Sequence, residues 1–507
     1  MMPEAFLVLW LLIVFVADFC LVKDEQKAKK LSMVTAGALL VQTCLMFGVQ
    51  PAEAFGGLYV SSAAVNVMKT ILAFGTLIVV IMAQSWVEKT KRLAGEFYML
   101  IISTLLGMYI MMSSGNFMLF FLGLETASVP LACLVAFDKW KKNSAEGAAK
   151  YILVATFSSG VMLYGMSFIY AAAGTFYFDD VAAKLTVSPL AIMGMVFFFS
   201  GLGFKISLVP FHFWTADTYE GAPTPVTGYL SVISKGAAAL TLCTILLKVF
   251  QPLVCYWEYL LYIVIVLSIT VANLFAIRQS ELKRFMAFSS ISQAGYIMLA
   301  VVGNGQMGIA ALTYYVLVYI VANMAVFTVI NVVEHRASLS SPESGEAGRG
   351  LTSISAYNGF YQTNPKLSFL MTLALFSLAG IPPFAGMFSK FFVFMAAAEQ
   401  GSAAAYFVVF IALINTVVSL YYYLLIVKAM YITKTDTPLP TFQSDGNTKC
   451  ALAICTAGIA LFGIVSCIYE WIAAAGMYPS QSSPPKSRKP RFRLFLSLSL
   501  RPPAAFL

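Results

Sequence analysis

An all-α polytopic membrane protein is the fold class this sequence predicts, and three observations predict it. Of its 507 residues 60% are hydrophobic and only 11% are charged, less than half the charge of about 25% that soluble domains carry. The apolar residues gather in segments of about 18 to 25, the length that crosses a hydrocarbon core roughly 30 Å thick at 1.5 Å per residue. Within those segments they cover every face, as in AFLVLWLLIVFVADFCLV at 5–22, whereas a membrane β-barrel strand alternates apolar and polar positions. A soluble enzyme with an added anchor is excluded.

About fourteen transmembrane helices follow in order: 5–22, 33–50, 66–87, 96–113, 116–137, 147–173, 188–213, 223–247, 257–277, 284–302, 306–331, 367–397, 403–427 and 450–471. An even number puts both termini on one side. The connections on the other side carry clusters such as Lys23, Lys27, Lys29 and Lys30, or Lys139, Lys141 and Lys142, while those on the terminal side carry only Lys184 and Lys248. Basic residues stay on the cytoplasmic face, so both termini are expected on the periplasmic side of a bacterial inner membrane, or its organellar equivalent. The net charge of +9 then reports orientation, with no nucleic acid implied.

The first apolar segment lacks a basic flank and a small-residue cleavage site, and reads as a retained helix. The Ser-, Glu- and Gly-rich stretch 334–365 reads as a surface loop. Residues 478–507, with SQSSPPKSRKPRFRLFLSLSLRPP, read as a disordered basic tail. The eight cysteines form no CxxC pair and no cluster with the two histidines, so neither an iron–sulfur cluster nor structural zinc is expected in this chain.

The basic residues left inside the spans are all lysines: Lys69, Lys150, Lys205, Lys235 and Lys390. Arginine stays charged at any working pH, whereas a desolvated lysine can release its proton near neutrality. Among acids, Asp18 and Glu125 fall well inside spans. An ionisable group at mid-membrane costs at least about 2.5 to 3.5 kcal/mol, and its default reading is an ion or proton pathway. Lys69 and Lys150, near their helix starts, could instead snorkel to the interface, though Lys150 could also serve as a relay, and Asp18 reads as interfacial. Lys205, Lys235 and Lys390 lie deep in their predicted spans.

Two spans are interrupted beside such a lysine. Pro210 follows Lys205 in SGLGFKISLVPFHFW, and Pro382-Pro383 precede Lys390 in SLAGIPPFAGMFSKF. Proline removes a backbone donor, and paired broken helices in two halves of a chain mark inverted-repeat transporters. Two inverted five-helix repeats are therefore expected, 96–247 and 257–427, preceded by three helices in 1–95 and followed by the helix at 450–471. His212, just after the first break, could relay protons or cap freed carbonyls. The run SSISQ at 289–293 could order water between the central and terminal lysines or serve helix packing.

The stretch FKISLVPFHFWTADTYEGAPTPVTGYLSVISK at 204–235 resembles the antiporter-like membrane subunits of respiratory complex I, most closely the branch called subunit 2, or subunit N in bacteria. LGLETASVP at 122–130, LKRFMAFSSISQAGY at 282–296 and AGIPPFAGMFSKF at 379–391 support it. The resemblance implies that Glu125 pairs with Lys205, that Lys235 is the central and Lys390 the terminal relay lysine, and that Lys150 lies near the pair. Asn66 stands where relatives often have an acid near Lys69. It further implies that NADH, FMN, iron–sulfur clusters and quinone act in other subunits of a complex, with neighbouring antiporter-like subunits as partners.

The function this predicts is proton translocation driven by electron transfer elsewhere. An ionised Glu125 close to Lys205 favours the protonated amine, and separation of the pair pushes the proton toward Lys235 and Lys390. Opposite charges about 4 Å apart at an effective dielectric near 20 interact by roughly 4 kcal/mol, enough to switch a lysine. The alternatives are a subunit of a multi-subunit cation/proton antiporter and a non-conducting scaffold.

Overall fold

Twelve helices among the described residues are long and apolar enough to cross a membrane. The structure is a computed structural model that describes residues 1–88, 93–138, 141–303, 305–340, 352–435, 439–442, 444–465 and 467–476. The expected tail at 478–507 and residues 341–351 of the expected surface loop lie outside the described residues.

The helices run in order as α1 (Met2–Cys20), α2 (Lys27–Met46), α3 (Ala63–Val87), α4 (Ala94–Met112), α5 (Phe117–Val135), α6 (Lys142–Ala173), α7 (Phe178–Lys184), α8 (Pro189–Ile206) and α9 (Phe213–Gly221). They continue as α10 (Thr224–Tyr229), α11 (Lys235–Lys248), α12 (Val254–Ile277), α13 (Leu282–Val302), α14 (Gln306–Ser340), α15 (Phe360–Thr363), α16 (Pro365–Ala379), α17 (Ala385–Glu399), α18 (Ala403–Tyr431), α19 (Gly446–Ile464) and α20 (Cys467–Gly476). A small antiparallel hairpin, β1 (Ala52–Ala54) with β2 (Tyr59–Ser61), joins α2 to α3.

Two expected spans are not among the twelve. The first turn of α2 holds Lys27, Lys29 and Lys30, which lowers its apolar character. The span expected at 367–397 is divided into α16 and α17, each 15 residues long. Gly380 turns left-handed at φ 88°, a conformation glycine adopts without strain, and the two prolines after it cannot continue the helix.

The span expected at 188–213 likewise stops early, at Ile206, where Ser207 takes φ 68°. The backbone freed there finds partners. Leu208 N–H donates to Gly203 O at 2.9 Å, Val209 N–H to Ser268 Oγ at 2.9 Å, and Trp214 Nε1–H to Phe204 O at 3.2 Å. Irregular backbone at this depth survives only when protein satisfies it in this way.

A third irregularity went unforeseen in the sequence: Leu230–Ser234 form a π-helical turn between α10 and α11, directly before Lys235. Such turns occur mostly as single insertions at working sites.

In lipid, apolar character does not separate inside from outside, but burial does. α13 and α14 are buried along their spanning windows, and α3 and α10–α11 nearly so, while α1 and α18 lie at the periphery with most of their surface uncovered. The polar run 289–293 sits on the central α13, with Ser289, Ser290, Ser292 and Gln293 all buried.

Candidate functional site: three buried lysines beside helix breaks

Lys205 lies in the last turn of α8 rather than mid-helix, because α8 ends one residue later. It is buried, and its Nζ donates to Ser128 Oγ on α5 at 2.8 Å and to Tyr151 OH on α6 at 3.1 Å. Glu125, one helix turn from Ser128, is half-buried and accepts a hydrogen bond from Ser159 Oγ at 2.5 Å. The ion pair expected between Glu125 and Lys205 is thus open: the carboxylate is held by a hydroxyl on α6 and the amine by two neutral oxygens.

Lys235 follows the π-helical turn and is 1% exposed. Its Nζ donates to Ser290 Oγ on α13 at 2.8 Å, and it lies 5.4 Å from the centre of the Tyr219 ring on α9. One turn further along α13, Gln293 donates to Leu378 O at 3.3 Å and to Tyr423 OH at 3.2 Å, and its Oε1 accepts from Tyr315 OH. Gln293 also lines a small cavity with Tyr315, Tyr319, Ser377, Ser389 and Lys390. Its volume of about 10 Å³ is close to what one water needs.

Lys390 reaches that cavity from the first turns of α17. Its Nζ donates to Ala379 O at 3.0 Å, the last carbonyl of α16. The C-terminus of a helix carries partial negative charge, so the break supplies a cation site without a carboxylate. A side chain on Gly380 would stand 3.1 Å from Lys390 Cδ, so this glycine is needed for space as well as for its turn. The sequence run 289–293 therefore does more than pack: Ser290 and Gln293, three residues apart on one face, touch the surroundings of two different lysines.

Other expected residues are placed elsewhere. Lys150 is no deep group: its side chain is 43% exposed and paired with Glu146 at 2.7 Å and Asp217 at 2.6 Å. Asp217 and Glu220 of α9 both hold Arg284 at 2.7 Å, so Lys150 belongs to a charged network at a helix end. His212 is buried beside the first break, its ring 4.6 Å from that of Phe213, and its Nδ1 has no hydrogen-bond partner among the described residues. Asp18 pairs with Lys27 at 2.8 Å across the α1–α2 turn.

Sequence reasoning missed the partner of Lys69. This lysine is fully buried and pairs at 2.5 Å with Glu4, which the expected span starting at residue 5 left outside. Tyr59 OH bridges both Glu4 oxygens at 3.1 Å, and Asn66 accepts from Ser61 Oγ and donates to Val49 O. An unpartnered lysine near a helix start was the signal that could have found Glu4.

Comparisons with known proteins identify the family. Residues 114–419 match the family described as NADH:quinone oxidoreductase/Mrp antiporter, TM. NADH-quinone oxidoreductase subunit N of Phocaeicola vulgatus is 54% identical over 439 residues, 86% of this chain and 90% of that one. The subunit N of Azobacteroides pseudotrichonymphae is 49% identical, with 92% and 96% covered. A chain of respiratory complex I from Thermus thermophilus superposes with a TM-score of 0.77 at 28% identity, covering 94% of this chain and all of that one. A chain of the Mrp complex from a Dietzia species gives 0.80 at 19% identity over 94% and 97%, a likeness of fold alone. The chain belongs to the NADH-quinone oxidoreductase subunit N family, within the antiporter-like membrane subunits of complex I.

Proposed function

We propose that this chain is a proton-translocating membrane subunit of an NADH:quinone oxidoreductase, in which Lys205, Lys235 and Lys390 pass protons and Glu125 sets the charge of Lys205. The single observation that carries the reading is that three buried lysines, each beside an interrupted helix, are held by neutral oxygens. A fixed carboxylate would keep an amine charged; a hydroxyl or carbonyl accepts from either charge state and lets it change.

In this reading, Glu125 leaves Ser159 and approaches Lys205, stabilising the ammonium. When it returns, the proton on Lys205 loses that support and moves inward past α9 toward Lys235. Ser290, Gln293 and the small cavity then connect Lys235 with Lys390. Residues 96–247 and 257–427 act as two inverted repeats around the two breaks. Both termini lie on the periplasmic side of a bacterial inner membrane, and NADH, FMN, iron–sulfur clusters and quinone are handled by partner subunits. His212 borders the first break as a further group able to take part.

Lys235→Met tests this in the assembled complex, with NADH oxidation and proton uptake followed in the same vesicles. The expected outcome is a fall of roughly tenfold in protons moved per NADH with assembly retained, since a buried uncharged chain of similar length leaves packing intact. Unchanged stoichiometry would sink the relay. Transport by the isolated chain that requires sodium would favour the cation/proton antiporter instead.

A further inference from the structure

Each deep lysine meets a tyrosine. Lys205 Nζ lies 5.8 Å from the centre of the Tyr151 ring, Lys235 Nζ 5.4 Å from Tyr219, and Lys390 Nζ 5.0 Å from Tyr296. Lys235 and Lys390 fall within the range of about 6 Å at which a ring face attracts a cation, whereas Lys205 Nζ, 3.1 Å from the Tyr151 hydroxyl, lies off the ring edge near its plane. Phenylalanine outnumbers tyrosine 41 to 25 in this chain, yet the ring is a tyrosine at all three sites. The hydroxyls explain the choice, because each has a hydrogen-bond partner. Tyr151 OH accepts from Lys205 at 3.1 Å, Tyr219 OH meets Ser290 at 3.4 Å, and Tyr296 OH donates to Ala412 O at 3.3 Å.

We propose that Tyr219 and Tyr296 are the standing electrostatic partners of Lys235 and Lys390, their ring faces supporting the ammonium form where no carboxylate is in contact, while Lys205 is met by the Tyr151 hydroxyl. This rests on the relay reading and deepens it. A buried ammonium needs some negative potential, but a carboxylate at contact distance would trap the proton. A ring face is weaker and carries no net charge, so it supports the cation without holding it. At desolvated sites the attraction corresponds to a bias toward the charged amine of roughly 30-fold.

Tyr296 gives the clearest test, because its hydroxyl points to α18, meeting Ala412 O and Thr416 Oγ1, while Lys390 Nζ donates to Ala379 O. Protons moved per NADH are measured in vesicles holding the assembled complex, first for Tyr296→Phe and then with mono-, di- and trifluorinated phenylalanine at position 296. Fluorine drains the ring face while nearly preserving its shape, so folding is held constant. The expected result is a yield within about twofold of the parent for Tyr296→Phe and a stepwise decline along the fluorine series, on the order of fivefold at the trifluorinated ring. Tyr296→Leu falls at least as far. A flat fluorine series overturns the proposal, and so does a Tyr296→Phe yield as low as that of Lys390→Met, since the hydroxyl would then be the working group. Lys390→Met separates the two failures. If it leaves pumping intact, the relay reading itself is wrong; if it stops pumping while the fluorine series is flat, only the role of the rings is wrong.

Discussion

Two glutamate–lysine couples in this molecule contain the same chemistry in opposite states. Glu4 and Lys69 are in contact at 2.5 Å, with the lysine 0% exposed and Tyr59 closing both carboxylate oxygens. Glu125 and Lys205 are apart, each satisfied by a neutral group. Their surroundings differ accordingly. The Tyr109 hydroxyl beside Lys69 turns back to the Lys69 carbonyl, so the closed couple ends on itself. The open couple lies at a helix break, next to the aromatic side chains of α9 that lead toward Lys235. Residue types alone do not make a switch; in the closed couple the two charges touch, whereas in the open couple neutral hydroxyls hold them apart.

The largest effect that sharpens this contrast is on assembly. Glu4→Leu strands Lys69 as an uncompensated charge, and breaking a buried pair from one side costs about 3 to 5 kcal/mol. The expected result is a marked loss of assembled complex, measured by its yield in membranes. Removing both charges with Glu4→Leu and Lys69→Met should restore most of that yield, because an apolar pair can replace a buried ion pair at little cost. Whatever assembles should pump normally per NADH. Defective pumping in the well-assembled double variant would show that the closed couple also titrates, and would erase the contrast.

Glu125→Gln should do the reverse. The amide keeps the bond from Ser159 but cannot supply charge to Lys205, so assembly should be normal and protons moved per NADH should fall at least about tenfold, for a lost interaction of up to roughly 4 kcal/mol. A variant that assembled poorly and pumped normally would assign Glu125 to structure, alongside Glu4.

How far these couples were legible in the sequence follows from what each requires. The deep lysines stood out because a charge inside an apolar run has no ordinary reason to be there, and the prolines beside two of them marked the breaks. Lys205 nevertheless sits at a helix end, since the pattern shows the apolar run continuing through residues 207–213 although the helix does not. The π-helical turn before Lys235 left no trace, as LSVIS reads as any apolar stretch. Glu4 was missed by one residue at a helix boundary, the least certain feature of any such reading. The tyrosines were invisible because ring–amine contacts join residues far apart along the chain, such as Tyr296 and Lys390.

The smallest effect concerns Lys150, the one lysine of the five whose environment resembles neither couple. Its amine touches two carboxylates, as Lys69 touches one, but 43% of the side chain is exposed, so solvent screens both contacts. Exposed ion pairs contribute about 0 to 1 kcal/mol, and Asp217 keeps Arg284 at 2.7 Å if Lys150 is lost. Lys150→Met should therefore leave assembly within about twofold of the parent and protons moved per NADH unchanged. A relay lysine behaves otherwise, because no neighbouring group can take over its proton. A pumping loss comparable to that of Lys235→Met would move Lys150 into the relay and show that a carboxylate in contact is no bar to proton transfer, provided water reaches the pair.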